Sequence, residues 1–133
     1  MPPHVEIVFN NMPRIADSLR REASRIVRET AFSIETDIHN QMAESKSGRI
    51  YGGHQASAPG EAPAIDTGTY TNSITTDAKQ GDLTATVYTP IEYGPHLEYG
   101  TIHMAPRPHF TPAAERARAP FVQRMTSMLG RLR

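Results

Sequence analysis

The sequence predicts an α+β fold in which a long N-terminal helix and a C-terminal helix pack on a small antiparallel sheet, with long extended loop arms between them. Three observations carry that prediction. Apolar residues recur at steps of three or four from Ile15 to Met42 and again from Ala113 to Met128. Two runs rich in Thr and Val flank Gln80-Gly81-Asp82, and residues 45–64 and 104–112 are dense in Gly, Ser, Pro or Ala. With 133 residues and 38% hydrophobic side chains, the chain suits one domain over residues 1–133 with a modest core, and a two-domain enzyme is not expected.

Residues 4–10, HVEIVFN, set Val5, Ile7 and Phe9 in alternation with Glu6 and Val8, the pattern of a short strand with one buried face. Asn11 and Pro13 mark a helix start: Asn caps free backbone N–H groups, and Pro lacks a donor that would go unpaired in a first turn. The helix is predicted over 13–45, with Ile15, Leu19, Ala23, Ile26, Val27, Ile34, Ile38 and Met42 along one stripe. Roughly 30 helical residues span about 45 Å, longer than so small a core needs, so part of the stripe is expected to meet another subunit.

Residues 45–66 form an arm expected to be flexible, because a segment with so few large apolar residues cannot bury enough surface to fold by itself. Over 67–109 follow a short helix, a hairpin with strands near 73–79 and 83–89, and a helical turn from Tyr93 to Thr101 closed by Gly100. The proline-dense MAPRPHFTP leads into a final helix over 110–129, with Ala113, Ala117, Phe121, Met125 and Met128 on one face.

Composition excludes several function classes. Fourteen basic and fourteen acidic side chains cancel, so no global field draws the chain to nucleic acid or to an anionic membrane. The C-terminal stretch is locally basic, with Arg116, Arg118, Arg124, Arg131 and Arg133 against Glu115 alone, which suits an acidic or phosphate partner. There is no cysteine, hence no disulfide, thiolate zinc site or thiol nucleophile. The N-terminus lacks the basic and apolar regions of a signal peptide, and no apolar run approaches the roughly 20 residues of a membrane span. A soluble, unprocessed chain with no membrane partner is expected.

The tripeptide Asp66-Thr67-Gly68 is also the active-site signature of dimeric aspartic proteases, in which two such carboxylates share a proton and activate water. That chemistry needs the aspartate at the end of an apolar strand, and Gly60-Glu61-Ala62-Pro63-Ala64 does not build one. Asp66 reads better as a helix N-cap, with Tyr70 and Ile74 one turn apart on the inward face. His96, Glu98, His103 and His109 match no metal-ligand spacing, and the prolines at 95, 106 and 108 put them on irregular backbone, so no metal or cofactor is expected. Arg107, between two prolines, reads as a rigidly displayed contact, with Phe110 as an apolar anchor beside it.

SGRIY, HQASAPGEAPAIDTGTYTNSI, YGPHLEYGT and MAPRPHFTPAAERAR, in that order and spacing, resemble the tail-component family of long-tailed double-stranded DNA phages, the neck, head–tail joining or tail completion proteins. The resemblance covers roughly residues 15–128. The family's proline and DTG helix start fall on Pro63, Asp66, Thr67 and Gly68, and its serine-isoleucine on Ser73 and Ile74. Its tyrosine-to-glutamate-glycine-threonine turn falls on Tyr93, Glu98, Gly100 and Thr101, and its proline-rich arm on Ala105, Pro106, Arg107, Pro108, Phe110 and Pro112. The chain departs from the pattern at Tyr70, where an aliphatic residue is usual, at Pro95, which interrupts the turn, and at His109, inserted into the Arg-Pro-Phe run.

The resemblance implies a non-enzymatic virion protein, assembled in the host cytoplasm, that forms a ring of six or twelve copies in the neck or tail. Implied partners are head connector or stopper proteins, tail terminator or tail tube proteins, and passing DNA, touched transiently and without sequence preference. On this reading Asp66, Gly68 and Gly100 are structural, and Arg49, Tyr51, Glu98, Tyr99, Thr101, Arg107 and Phe110 form the assembly interface. The alternatives are a tail terminator capping the tube and, in a different class, the dimeric aspartic protease.

Overall fold

A computed structural model describes residues 4–7 and 17–131. Strand β1 (His4–Ile7) precedes the 27-residue helix α1 (Asp17–Ala43), and a two-residue-stranded hairpin follows, β2 (Ile50–Tyr51) and β3 (His54–Gln55). Then come helix α2 (Thr69–Ser73), strands β4 (Thr75–Asp77) and β5 (Ala85–Tyr88), helix α3 (Gly94–Tyr99) and helix α4 (Phe110–Gly130). The predicted α+β class and both long helices are present. Residues 8–10 of the expected first strand, and the expected helix start at Asn11 and Pro13, lie outside the described residues.

β5 is the central strand of a three-stranded antiparallel sheet, ordered β1-β5-β4. Its alternation sets the layers: Ala85 and Val87 are buried, with Thr86 and Tyr88 half-exposed between them. α1 lies across this sheet. Val27, Ala31, Ile34, Ile38 and Met42, at helical spacing, form the main core with Ala85, Val87, Tyr70, Ile74, Phe110 and Ala113. A second cluster joins Ala23 and Ile26 of α1 to Met125 and Met128 of α4, and Phe121 packs against both. Truncating a fully buried isoleucine such as Ile34 or Ile38 to alanine costs about 2–5 kcal/mol in such cores.

One expectation is corrected. The stripe of α1 from Ala23 to Met42 is covered within the chain, because α4 runs antiparallel beside α1 and the sheet takes the rest. Helix length alone therefore gives no reason to invoke a second subunit. Among the described residues the arginines of the C-terminal stretch are paired within the chain, and Arg133 lies outside the described residues. Arg116 binds Asp37 through two hydrogen bonds of 2.8 and 2.7 Å, Arg124 binds Glu29, Arg131 binds Glu22 at 2.7 Å, and Arg118 sits 3.4 Å from Glu115.

Candidate functional site

The site builds outward from the start of α4. A helix leaves its first N–H groups without intrahelical partners, and here one carboxylate from elsewhere in the chain takes three of them. Glu98 on α3, only 3% exposed, accepts from the N–H of His109 (2.9 Å), Phe110 (2.7 Å) and Thr111 (3.0 Å). Its charge also faces the positive end of the helix dipole. Glu98 was expected at an assembly interface. It is instead the remote cap of α4, and it is buried because an ionised carboxylate is tolerated inside only when saturated with donors.

His109 continues the network. Its Nδ1 lies 2.9 Å from the Arg107 carbonyl, which can only accept, so Nδ1 carries the proton and Nε2 accepts from the Tyr70 hydroxyl at 2.6 Å. Burial pushes the His109 pKa below its ordinary value, outweighing the Arg107 carbonyl and Glu98, which favour the charged ring. Burial likewise pushes the Tyr70 phenol far up, with Glu98 adding to it, so Tyr70 stays a donor. Tyr93 stacks on Tyr70 at 5.5 Å. The residue read as a departure from the family pattern thus ties α2 to α4. Pro95, read as an interruption, sits in the first turn of α3, where its missing donor costs nothing.

Arg107 is not displayed to solvent as expected. Its Nε donates to the Ser57 hydroxyl (2.8 Å) and its terminal nitrogens to the carbonyls of Ser57 (3.3 Å) and Ala105 (3.1 Å), while its N–H bonds the Leu97 carbonyl at 2.7 Å. Phe110, expected as an interface anchor, is 2% exposed and belongs to the core face of α4. The 45–66 arm is drawn into the same stack. The Glu61 carboxylate accepts from the N–H groups of Ser47 (3.1 Å) and Ala58 (2.6 Å), bonds that hold its pKa below the ordinary carboxylate value. Gly60 donates to the Pro106 carbonyl at 3.0 Å, and Ser57, Ala62 and Pro63 are buried.

The DTG turn is resolved differently from expectation. Gly68 occupies the N-cap position of α2 at φ 87°, a conformation that favours glycine, and Asp66 makes no capping bond. With the chain turned this way, the Thr67 hydroxyl faces the Thr69 N–H at 3.4 Å, and the exposed Asp66 carboxylate points to His54 Nδ1, 3.9 Å away. Asp66 therefore follows a loop, not a strand. Gly100 is structural as expected: it caps α3 at φ 78°, and a Cβ there would meet the Met104 carbonyl oxygen at 2.7 Å.

The four most exposed large apolar side chains stand on two protrusions, while Phe32, Ile65, Tyr93 and Val122 are exposed elsewhere. Ile50 and Tyr51 on the β2–β3 hairpin are 66% and 57% exposed, with the Arg49 guanidinium 5.1 Å from the Tyr51 ring centroid. A second tight turn pairs Thr101 with Met104 and puts Ile102, 94% exposed, at its tip beside Tyr99 at 68%. Arg49, Tyr51, Tyr99 and Thr101, expected at an assembly interface, are exposed. Ile50 and Ile102 were missed, although an isoleucine beside a Gly-Gly turn or between Thr and His in a loop is itself a signal. Between the protrusions runs an open groove of about 400 Å³ floored by Met42, Tyr70, Leu97 and Met104. Among the described residues no three His, Asp or Glu converge as a metal site would need, and no helix is long and apolar enough to cross a membrane. Scans of family models, curated proteins and solved structures return no match to this chain.

Proposed function

We propose that this chain is a structural, non-catalytic virion subunit that assembles into a ring at the head–tail junction of a long-tailed phage, with DNA passing through the ring. The motif order from SGRIY to the proline-rich arm suggests the family. The observation that carries the reading physically is the pair of hydrogen-bonded protrusions bearing Ile50, Tyr51, Tyr99 and Ile102 toward solvent. Monomers seldom leave such side chains grouped on projecting loops, and protrusions meeting a different face of the next copy make the heterologous contacts of a closed ring. Native mass spectrometry of the purified chain tests this reading: a discrete closed oligomer is expected, and a strict monomer at every concentration, alone and with portal-side and tail-tube proteins, overturns it. Cryo-electron microscopy of particles then places the ring, above the tube for a neck protein and on its end for a tail terminator.

A further inference from the structure

We infer that the β2–β3 hairpin of one copy adds to the open β4 edge of the next, extending the three-stranded sheet across the subunit boundary. This rests on the ring reading above and specifies the contact that makes it. The hairpin has only two strands, so each has one uncovered edge, and its apolar residues face solvent on both sides, Tyr51 on one and Ile50 on the other. A two-stranded hairpin is marginal without a further partner. β4 is the corresponding acceptor: it is a three-residue edge strand of the other sheet, with no proline or lysine in it and Asp77 as its one charge.

The faces match when the strands run antiparallel with Arg49 opposite Asp77, Ile50 opposite Thr76 and Tyr51 opposite Thr75. Residues directly opposite share a face of the sheet. On the outer face Thr75 and Asp77 are exposed, and Asp77 has no ion-pair partner among the described residues; the alignment supplies Arg49, which has none either. On the inner face Thr76 donates to Glu35 of α1 at 3.1 Å, so Ile50 would enter on the α1 side of the neighbour's sheet. One turn before Glu35 stands Phe32, 46% exposed and the large apolar residue that α1 leaves at its surface. The hairpin thus brings an apolar residue to an apolar neighbour, a cation to an anion and an aromatic to a β-branched residue, in one register.

Because the chain has no cysteine, the register can be read by mixed disulfide trapping. Tyr51→Cys protein is mixed with Thr75→Cys protein, oxidised and resolved without reductant, beside a mixture of Tyr51→Cys with Thr76→Cys, and native mass spectrometry checks that each variant still oligomerises. The expected result is a disulfide-linked heterodimer in the 51/75 mixture at several times the yield of the 51/76 mixture. Oligomers that persist with no 51/75 product, or with equal yields at 75 and 76, overturn the strand addition and leave the ring reading standing. A chain that never oligomerises overturns both.

Discussion

The α1–α4 layer and the loop layer that stacks residues 45–66 against 94–109 are held together by opposite means. In the helical layer the buried apolar contacts carry the energy, and a line of exposed ion pairs adds little to it. In the loop layer, long irregular stretches are fixed by a few side chains that each satisfy several backbone groups: Glu98 takes three N–H groups, Arg107 reaches two carbonyls and a hydroxyl, and Glu61 joins Ser47 to Ala58. The difference teaches where this chain is fragile. Its regular half depends on buried apolar residues and little on its polar ones, and its irregular half depends on individual polar residues.

The sharpest way to break that contrast is Glu98→Ala. It strips the buried start of α4 of its acceptor, and we expect a loss of about 3 kcal/mol, read as a melting temperature lower by roughly 10 °C, with Glu98→Gln intermediate because only its carbonyl oxygen still accepts. Equal melting of Glu98→Ala and parent would remove the basis of the comparison. Next in size is Arg107→Ala, expected to cost about 1–2 kcal/mol and to raise hydrogen exchange across residues 45–66 while leaving α1 protected. Unchanged exchange there would mean that the arm is held by something other than Arg107.

Acidification should act on the same loop layer. The folded chain keeps His109 neutral, whereas the unfolded chain takes up that proton near the ordinary value of 6.5. The contribution of His109 is therefore complete above about pH 6.5 and is lost as pH falls toward the lower folded value. Thermal melts from pH 7.5 to 5 should show this decline, and His109→Gln should start lower but vary less over that interval. A parallel slope in the variant would count against the buried neutral ring. The smallest effects belong to the exposed ion pairs of the helical layer and to the DTG turn: Arg124→Ala and Asp66→Ala should each change stability by no more than about 0.5 kcal/mol, since both side chains lie in largely solvated surroundings. A loss above about 1 kcal/mol from Asp66→Ala, measured by denaturant unfolding, would restore the capping role that its geometry denies.

Legibility in the sequence followed the same divide. The long helices were readable because 3.6-residue periodicity repeats over many turns, and the β4–β5 hairpin because its Thr- and Val-rich runs bracket a glycine turn, although its strands are shorter than the runs suggested. Gly100 was readable because a glycine closing a helical pattern supplies the positive φ that such an ending often needs. Glu98 was not, since capping rules look at the residues adjoining a helix and this cap reaches α4 from another helix. Arg107 looked displayed because proline flanks predict stiffness but not direction, and Ser57 lies fifty residues away. Asp66 fitted the composition of an N-cap, but the left-handed turn at Gly68 moved the cap two residues on. The β2–β3 hairpin carried a usable signal in Gly52-Gly53, masked by strands too short to show alternation.

The ion pairs between α1 and α4 have a consequence unrelated to their small energies. Along α1 the acids stand at 22, 29 and 37, and along α4 the arginines stand at 131, 124 and 116, so both series step by seven and then eight in opposite directions. A slide of two turns leaves the end charge of each series without a partner, so only the observed alignment forms all three pairs together. Pairs too exposed to hold the helices together can still choose where along each other the helices stop, and that choice fixes how far the loop layer at one end stands from the turn between β4 and β5 at the other.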